Sequence, residues 1–246
     1  MDIKLFNRCL HTSVSVVNII TMISGLFLLA SATMTKAHLF ENQFLLHCWN
    51  CRGLYLSLWV TVVQHIYFGI CSALDIIDVY SQKTQLLLKL QDYMNRIASY
   101  LLFTIVFPFS WSVFLLFWSV YFWDRNLIYP PIVEELFPPW INHVMHTLPV
   151  PLSVIYMMTS NSKGPSKISS LSGLVAFLAV YSYVFFSYYN NEGKWIYKAL
   201  DMMTPTQLGW VFAFAALGPV CFLFLGYKLN ETMDYCKRHS SLVMFS

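Results

Sequence analysis

Apolar residues gather along this chain in six long stretches, parted by short segments that carry most of the charge and turn-forming residues. The stretches lie near Thr12–Thr33, Leu54–Asp78, Ala98–Phe122, Trp140–Thr159, Leu171–Tyr189 and Thr206–Tyr227. Each is on the scale of the roughly 20 helical residues that cross a hydrocarbon core about 30 Å thick. Segments such as Tyr129-Pro130-Pro131 and Asn161-Ser162-Lys163-Gly164-Pro165-Ser166 punctuate them. The pattern predicts an all-α polytopic membrane protein, a six-transmembrane-helix bundle. Between the second and third stretches, Gln85 to Arg96 interleaves four leucines with Lys89 and Arg96, behind Lys83, and predicts a separate helix lying along the headgroups.

Composition agrees and excludes a water-soluble globule. Hydrophobic residues make up 57% of the 246, charged residues only 11%, and mean hydropathy is +0.56. That leaves too little polar surface to cover a soluble domain of this size. The 17% aromatic content suits bundle packing and interface belts. No internal repeat or linker is evident, so residues 1–246 read as one domain. Lys4 and Arg8 precede the first stretch without a small-residue cleavage pattern, so that stretch reads as a retained anchor.

Charge orients the bundle. Of the 15 Lys and Arg, ten fall in the N-terminus, the second and fourth loops and the C-terminal tail. The positive-inside rule then predicts both termini in the cytosol, and topology rather than nucleic acid accounts for the net charge of +3. The same orientation discounts Asn230-Glu231-Thr232 as a glycosylation site. Ser241 to Ser246 carries no retrieval signal, which favours the cell membrane over the endoplasmic reticulum.

His143 and His146 stand at the mouth of the fourth stretch, where an ionisable side chain is costly unless it faces a cavity or partner. Pro149 and Pro151 follow, and each withholds an amide from the residue four back, leaving the carbonyls of Met145 and Thr147 open on either side of His146. Open carbonyls at that depth point to a polar pocket, or to a plain kink. Ser57 and His146 start from the same side of the membrane, about 5 and 9 Å below the interface at 1.5 Å per residue. A histidine within reach of a hydroxyl makes it a nucleophile. Ser57, Thr61, Thr147 and Ser153 all compete for that role, against the ordinary structural role of such hydroxyls in membrane helices.

Cys48-Trp49-Asn50-Cys51 has redox or zinc-like spacing on the non-cytosolic side, where a disulfide is possible. A zinc site needs four ligands, and His143 and His146 would need His38 or His47 beside them, with no carboxylates at hand. The reading therefore includes no metal and no cofactor. A transporter or channel would carry charge within several spans, whereas only Asp75 and the histidines qualify here. A non-enzymatic scaffold or signalling protein remains the alternative.

Asp124-Arg125-Asn126-Leu127-Ile128-Tyr129-Pro130, followed by Phe137-Pro138-Pro139-Trp140-Ile141-Asn142-His143-Val144-Met145-His146-Thr147, resembles the androgen-induced protein and androgen-dependent TFPI-regulating protein family. Similar stretches include Tyr55-Leu56-Ser57, Gln64, Tyr67 to Cys71 with Asp75, and Gly193 to Tyr197, together about two-thirds of the chain. The resemblance implies a membrane hydrolase of fatty acid esters of hydroxy fatty acids, using a threonine nucleophile and a histidine base. The histidine corresponds to His146. The threonine, seven positions before Gln64, corresponds to Ser57, with Thr61 as runner-up if the register shifts by a turn. The expected partners are the bilayer and a lipid ester bearing a free carboxylate. Arg125 is the candidate for that carboxylate, against simple loop capping with Asp124, and Asn142 and His143 are candidates for substrate or oxyanion contacts.

Overall fold

The computed structural model describes residues 41–79, 84–159 and 164–243, with Cys9 and a few helical positions between 12 and 23. The predicted first span falls mostly outside the described residues, as does His38. Every regular element described is helical: α1 Gln43–Cys51, α2 Leu56–Val79, α3 Gln85–Leu101, α4 Phe107–Trp123, α5 Pro139–His146, α6 Pro149–Thr159, α7 Lys167–Glu192 and α8 Pro205–Val243. Among the described residues four helices are long and apolar enough to cross a membrane, Leu56–Asp78, Gln85–Trp123, Lys167–Glu192 and Pro205–Cys236.

Local chemistry sets the helix ends. The Asn42 side chain accepts from the amides of Phe44 and Leu45 at the start of α1, Thr84 accepts from Leu87 at α3, and Ser166 accepts from Ser169 at α7. Gly193 closes α7 at φ 64°, a left-handed position suited to glycine, with its amide on the Tyr189 carbonyl at 2.8 Å.

Two segments depart from the sequence expectation. Gln85–Arg96 is not a separate surface helix. α3 continues through a π-helical turn at Leu102–Val106 into α4, because nothing before Pro108 breaks the ladder. Pro108 then denies the Thr104 carbonyl its amide, and the Phe107 amide reaches back five residues to Leu102, widening the turn. The stretch Trp140–Thr159, expected as one helix, is two. The amides of Thr147 and Leu148 both bond the His143 carbonyl, at 2.8 and 2.9 Å, the second a five-residue reach that widens the end of α5 before Pro149 opens α6. The Thr147 carbonyl does not stay open, since the Val150 amide reaches it at 3.4 Å.

The bundle core is aromatic. Tyr67 and Phe68 of α2, Phe103 and Phe107, Tyr156 and Met157 of α6, Leu174 of α7 and Leu223 of α8 are all buried together. Several polar groups inside it are paired, as a membrane interior favours, although Thr104 Oγ1 and Trp111 Nε1 are buried with no hydrogen-bond partner among the described residues. Gln64 Nε2 of α2 donates to Ser110 Oγ of α4 at 2.8 Å, and Ser110 in turn donates to the Val106 carbonyl. Ser170 and Tyr227 share a hydrogen bond of 2.9 Å between α7 and α8.

Candidate functional site

His146 closes α5, and α4 receives its ring. The imidazole stacks on Phe117 with centroids 3.8 Å apart and planes 13° from parallel. Its Nδ1 lies 2.7 Å from Asn142 Oδ1 and 3.1 Å from the Asn142 backbone carbonyl, one turn earlier on the same helix. A carbonyl oxygen has no hydrogen to give, so the ring proton belongs on Nδ1. Nε2 is left with its lone pair, and no hydrogen bond to it is seen among the described residues. The Asn142 backbone carbonyl can only accept, which assigns the tautomer, and the buried Asn142 side chain then presents its oxygen to the same nitrogen.

His143 behaves differently. It is exposed, stacks on Trp118 at 5.5 Å and hydrogen-bonds Thr147 Oγ1 through Nδ1 at 3.1 Å. The two histidines thus share α4 as a backing but make no joint site. His47 is remote from both in its bonding, with Nε2 on the Ile196 carbonyl at 3.0 Å. Among the described residues no group of three or more His, Cys, Asp or Glu could hold a metal ion.

Ser57 is the second residue of α2, half-buried, in the first turn of a 24-residue helix. The amides of that turn have no intrahelical partner. Tyr197 Oη accepts the Leu56 amide at 2.9 Å, and the Leu58 amide turns back to the Tyr55 carbonyl at 3.0 Å. Among the described residues neither the Ser57 amide nor its hydroxyl has a hydrogen-bond partner. Thr61 is committed, since its Oγ1 donates to the Ser57 carbonyl at 2.7 Å.

The Gln64–Ser110 bond sets the register between α2 and α4, which run antiparallel. Ser57 lies seven residues before Gln64, and Phe117 lies seven after Ser110. Seven residues are two turns, so each is displaced about 10 Å in the same direction and by only about 20° around its helix. Ser57 and Phe117 are therefore level and on facing sides, and His146 covers Phe117. No hydrogen bond joins Ser57 to His146 among the described residues. Phe117 and the Gln64–Ser110 clasp carry no signal of their own in a chain with 20 phenylalanines.

Deeper along α2, beside α5 and α6, is a cavity of about 240 Å³, walled by Ser13, Val14, Val17, Gln64, Phe68, Val144, Leu148, Pro149 and Leu152. The break between α5 and α6 forms part of its rim.

Arg125 is held inside its own loop. Its guanidinium pairs with Glu134, Nε donates to the Tyr129 carbonyl at 2.9 Å, and it lies 5.6 and 5.8 Å from the Tyr121 and Tyr129 rings. Asp124 accepts the Asn126 amide in the same loop, at 2.9 Å. Burial, with Glu134 close by, pushes the Tyr129 hydroxyl up to about 12. The cysteines are free thiols. Cys51 Sγ donates to Tyr188 Oη at 3.1 Å, and burial raises both Cys48 and Cys51 against the opposing hydrogen bonds from Tyr55 and Tyr188. Neutral thiols are poor rivals to an activated hydroxyl.

Comparison with known proteins adds an independent line. The family model described as FAR-17a/AIG1-like protein matches residues 10–231. The chain is 31% identical to the mouse androgen-dependent TFPI-regulating protein over 180 residues, 73% of this chain and 76% of that one. It is 32% identical to the rat protein of the same name over 183 residues, covering 73% and 76%. It is 31% identical to the human androgen-induced gene 1 protein over 160 residues, 61% of this chain and 64% of that one. No solved structure matches.

Proposed function

The chain belongs to the FAR-17a/AIG1-like family of membrane proteins, and from that premise we propose that it is an integral membrane hydrolase. Its substrate is a fatty acid ester of a hydroxy fatty acid, its nucleophile Ser57 and its base His146. One observation carries the reading: Asn142 holds the proton of His146 on Nδ1 and leaves Nε2 as a base, level with Ser57 across Phe117.

His146 Nε2 takes the Ser57 proton as Ser57 Oγ bonds to the ester carbonyl carbon. The tetrahedral intermediate collapses, the ester C–O bond breaks, and the proton on Nε2 passes to the departing hydroxyl oxygen of the hydroxy fatty acid. Water then gives its proton to Nε2 and its oxygen to the acyl carbon, and Ser57 recovers its proton as the fatty acid leaves. The negative charge that develops on the carbonyl oxygen meets the first turn of α2, where the helix dipole is positive and the Ser57 amide has no partner among the described residues. Ser57 rather than Thr61 suits the nucleophile, because the Thr61 proton is engaged by the Ser57 carbonyl. Arg125 is already paired with Glu134 and bonded to the Tyr129 carbonyl, so we assign it to the loop and leave the carboxylate near the interface.

Labelling of membranes with a fluorophosphonate probe tests the assignment. Ser57→Ala and His146→Ala are expected to abolish labelling and ester turnover, and Thr61→Ala to spare both. Labelling retained in Ser57→Ala rejects the nucleophile. A wild-type protein that neither labels nor turns over ester favours the scaffold alternative.

A further inference from the structure

The cavity behind the α5–α6 break adjoins the candidate pair along α2. Gln64 and Phe68 stand on the Ser57 face of α2, seven and eleven residues deeper, which is about 10 and 16 Å further along the helix. Val144, two residues before His146, stands about 200° around α5 from it and brings the cavity to the other side of that helix, and Leu148 and Leu152 continue the wall past the break. Leu148 is exposed at the rim while Val14 and Phe68 are buried, so the space opens sideways from the bundle and closes inward.

Its chemistry selects an occupant. Among the described residues the wall is hydrocarbon apart from the Gln64 amide, already bound to Ser110, and an exposed Ser13. No cation lines it among those residues, so they offer nothing to a carboxylate. Its 240 Å³ falls below the roughly 300–1,000 Å³ of sites that enclose a whole drug-sized ligand. One hydrocarbon chain fits there, and a two-chain ester does not.

We propose that this cavity is the acyl-chain site of the hydrolase, holding the chain that Ser57 removes while the carboxylate-bearing half of the ester stays toward the helix ends. The inference rests on the hydrolase reading above. It makes Leu148 and Leu152 determinants of acyl length, since room for one methylene in an apolar pocket is worth about tenfold or more in discrimination.

The test compares turnover of butyrate and palmitate esters of one chromogenic alcohol by membranes carrying the full chain. The readout is the palmitate-to-butyrate ratio, which cancels differences in folded protein. Leu148→Trp fills the rim and is expected to lower the ratio at least about tenfold, through two or more excluded methylenes. Leu152→Ala enlarges the inner wall without overpacking and should raise it. Val62→Trp, of equal bulk on an exposed part of α2 away from the cavity, should keep the wild-type ratio. A ratio unmoved in Leu148→Trp and Leu152→Ala overturns the acyl site, leaves the hydrolase reading intact and makes the cavity a place for bilayer lipid. Wild-type membranes without turnover of either ester overturn the hydrolase reading and this inference with it.

Discussion

Replacing Asn142 with alanine isolates the contact on which the proposed role of His146 as a base rests. The substitution removes the Oδ1 acceptor at 2.7 Å and keeps the backbone carbonyl at 3.1 Å, so the Nδ1 tautomer survives but loses its shorter bond. In the resting protein that bond joins a neutral ring to an amide and is worth about 0.5–1.5 kcal/mol. In the transition state of the proposed reaction the ring carries the serine proton and a full charge, and the same bond is worth about 1.5–3 kcal/mol. Only the difference, about 1–1.5 kcal/mol, acts on the chemical step, which is close to tenfold in kcat with little change in KM. Asn142→Asp restores an oxygen at nearly the same place and is expected to recover most of the loss. The assay is ester turnover at saturating substrate, paired with the rate of fluorophosphonate labelling, both normalised to folded protein because Asn142 is buried. A wild-type kcat in Asn142→Ala would refute the argument. So would an Asn142→Asp protein no faster than Asn142→Ala, since the acceptor would then not be what matters.

Other consequences of the packing are open to the same treatment. Gly226→Ala sets a Cβ 2.9 Å from the buried Phe107 ring, and overpacking of that kind costs about 1–3 kcal/mol, visible as a lower thermal midpoint in detergent. Tyr197→Phe removes the acceptor of the Leu56 amide at the head of α2, and a loss of about 1 kcal/mol in the same assay is expected. Tyr129, raised to about 12, should ionise later in the folded chain than in the unfolded one, where a free tyrosine titrates near 10. Its contribution to stability is then complete below the unfolded value and falls away as pH climbs toward the folded one. In Glu134→Gln the ultraviolet titration of Tyr129 should move down, because a nearby negative charge has gone, and an unmoved titration would refute that cause.

Helices rich in apolar residues were legible from sequence because hydropathy is summed over a window and needs no knowledge of neighbours. Pro149 and Pro151 announced a weak point in the same way, since a missing amide is a property of the residue itself. The rerouting around it was not legible: whether the Thr147 carbonyl stays open depends on where the Val150 amide swings, and that depends on how α5 and α6 pack. The continuity of α3 into α4 was missed for a related reason, because the amphipathic pattern of Gln85–Arg96 describes surface preference and says nothing about where a hydrogen-bond ladder ends.

The residues of the candidate site divide along the same line. The motif from Asn142 to Thr147 and the position of Ser57 before Gln64 could be read from the chain, and with them the family. Sequence left His143 and His146 as near equals. The fold separated them by giving one ring to Phe117 and the Asn142 oxygens, and the other to Trp118 and Thr147. Sequence by itself determined a helical membrane protein and a short roster of polar residues. The proton on Nδ1 of His146 is set locally, by Asn142 one turn earlier on the same helix. Only the tertiary structure decided which ring covers His146 and which side chains stand level with it, because both depend on contacts between helices whose residues lie far apart in the chain.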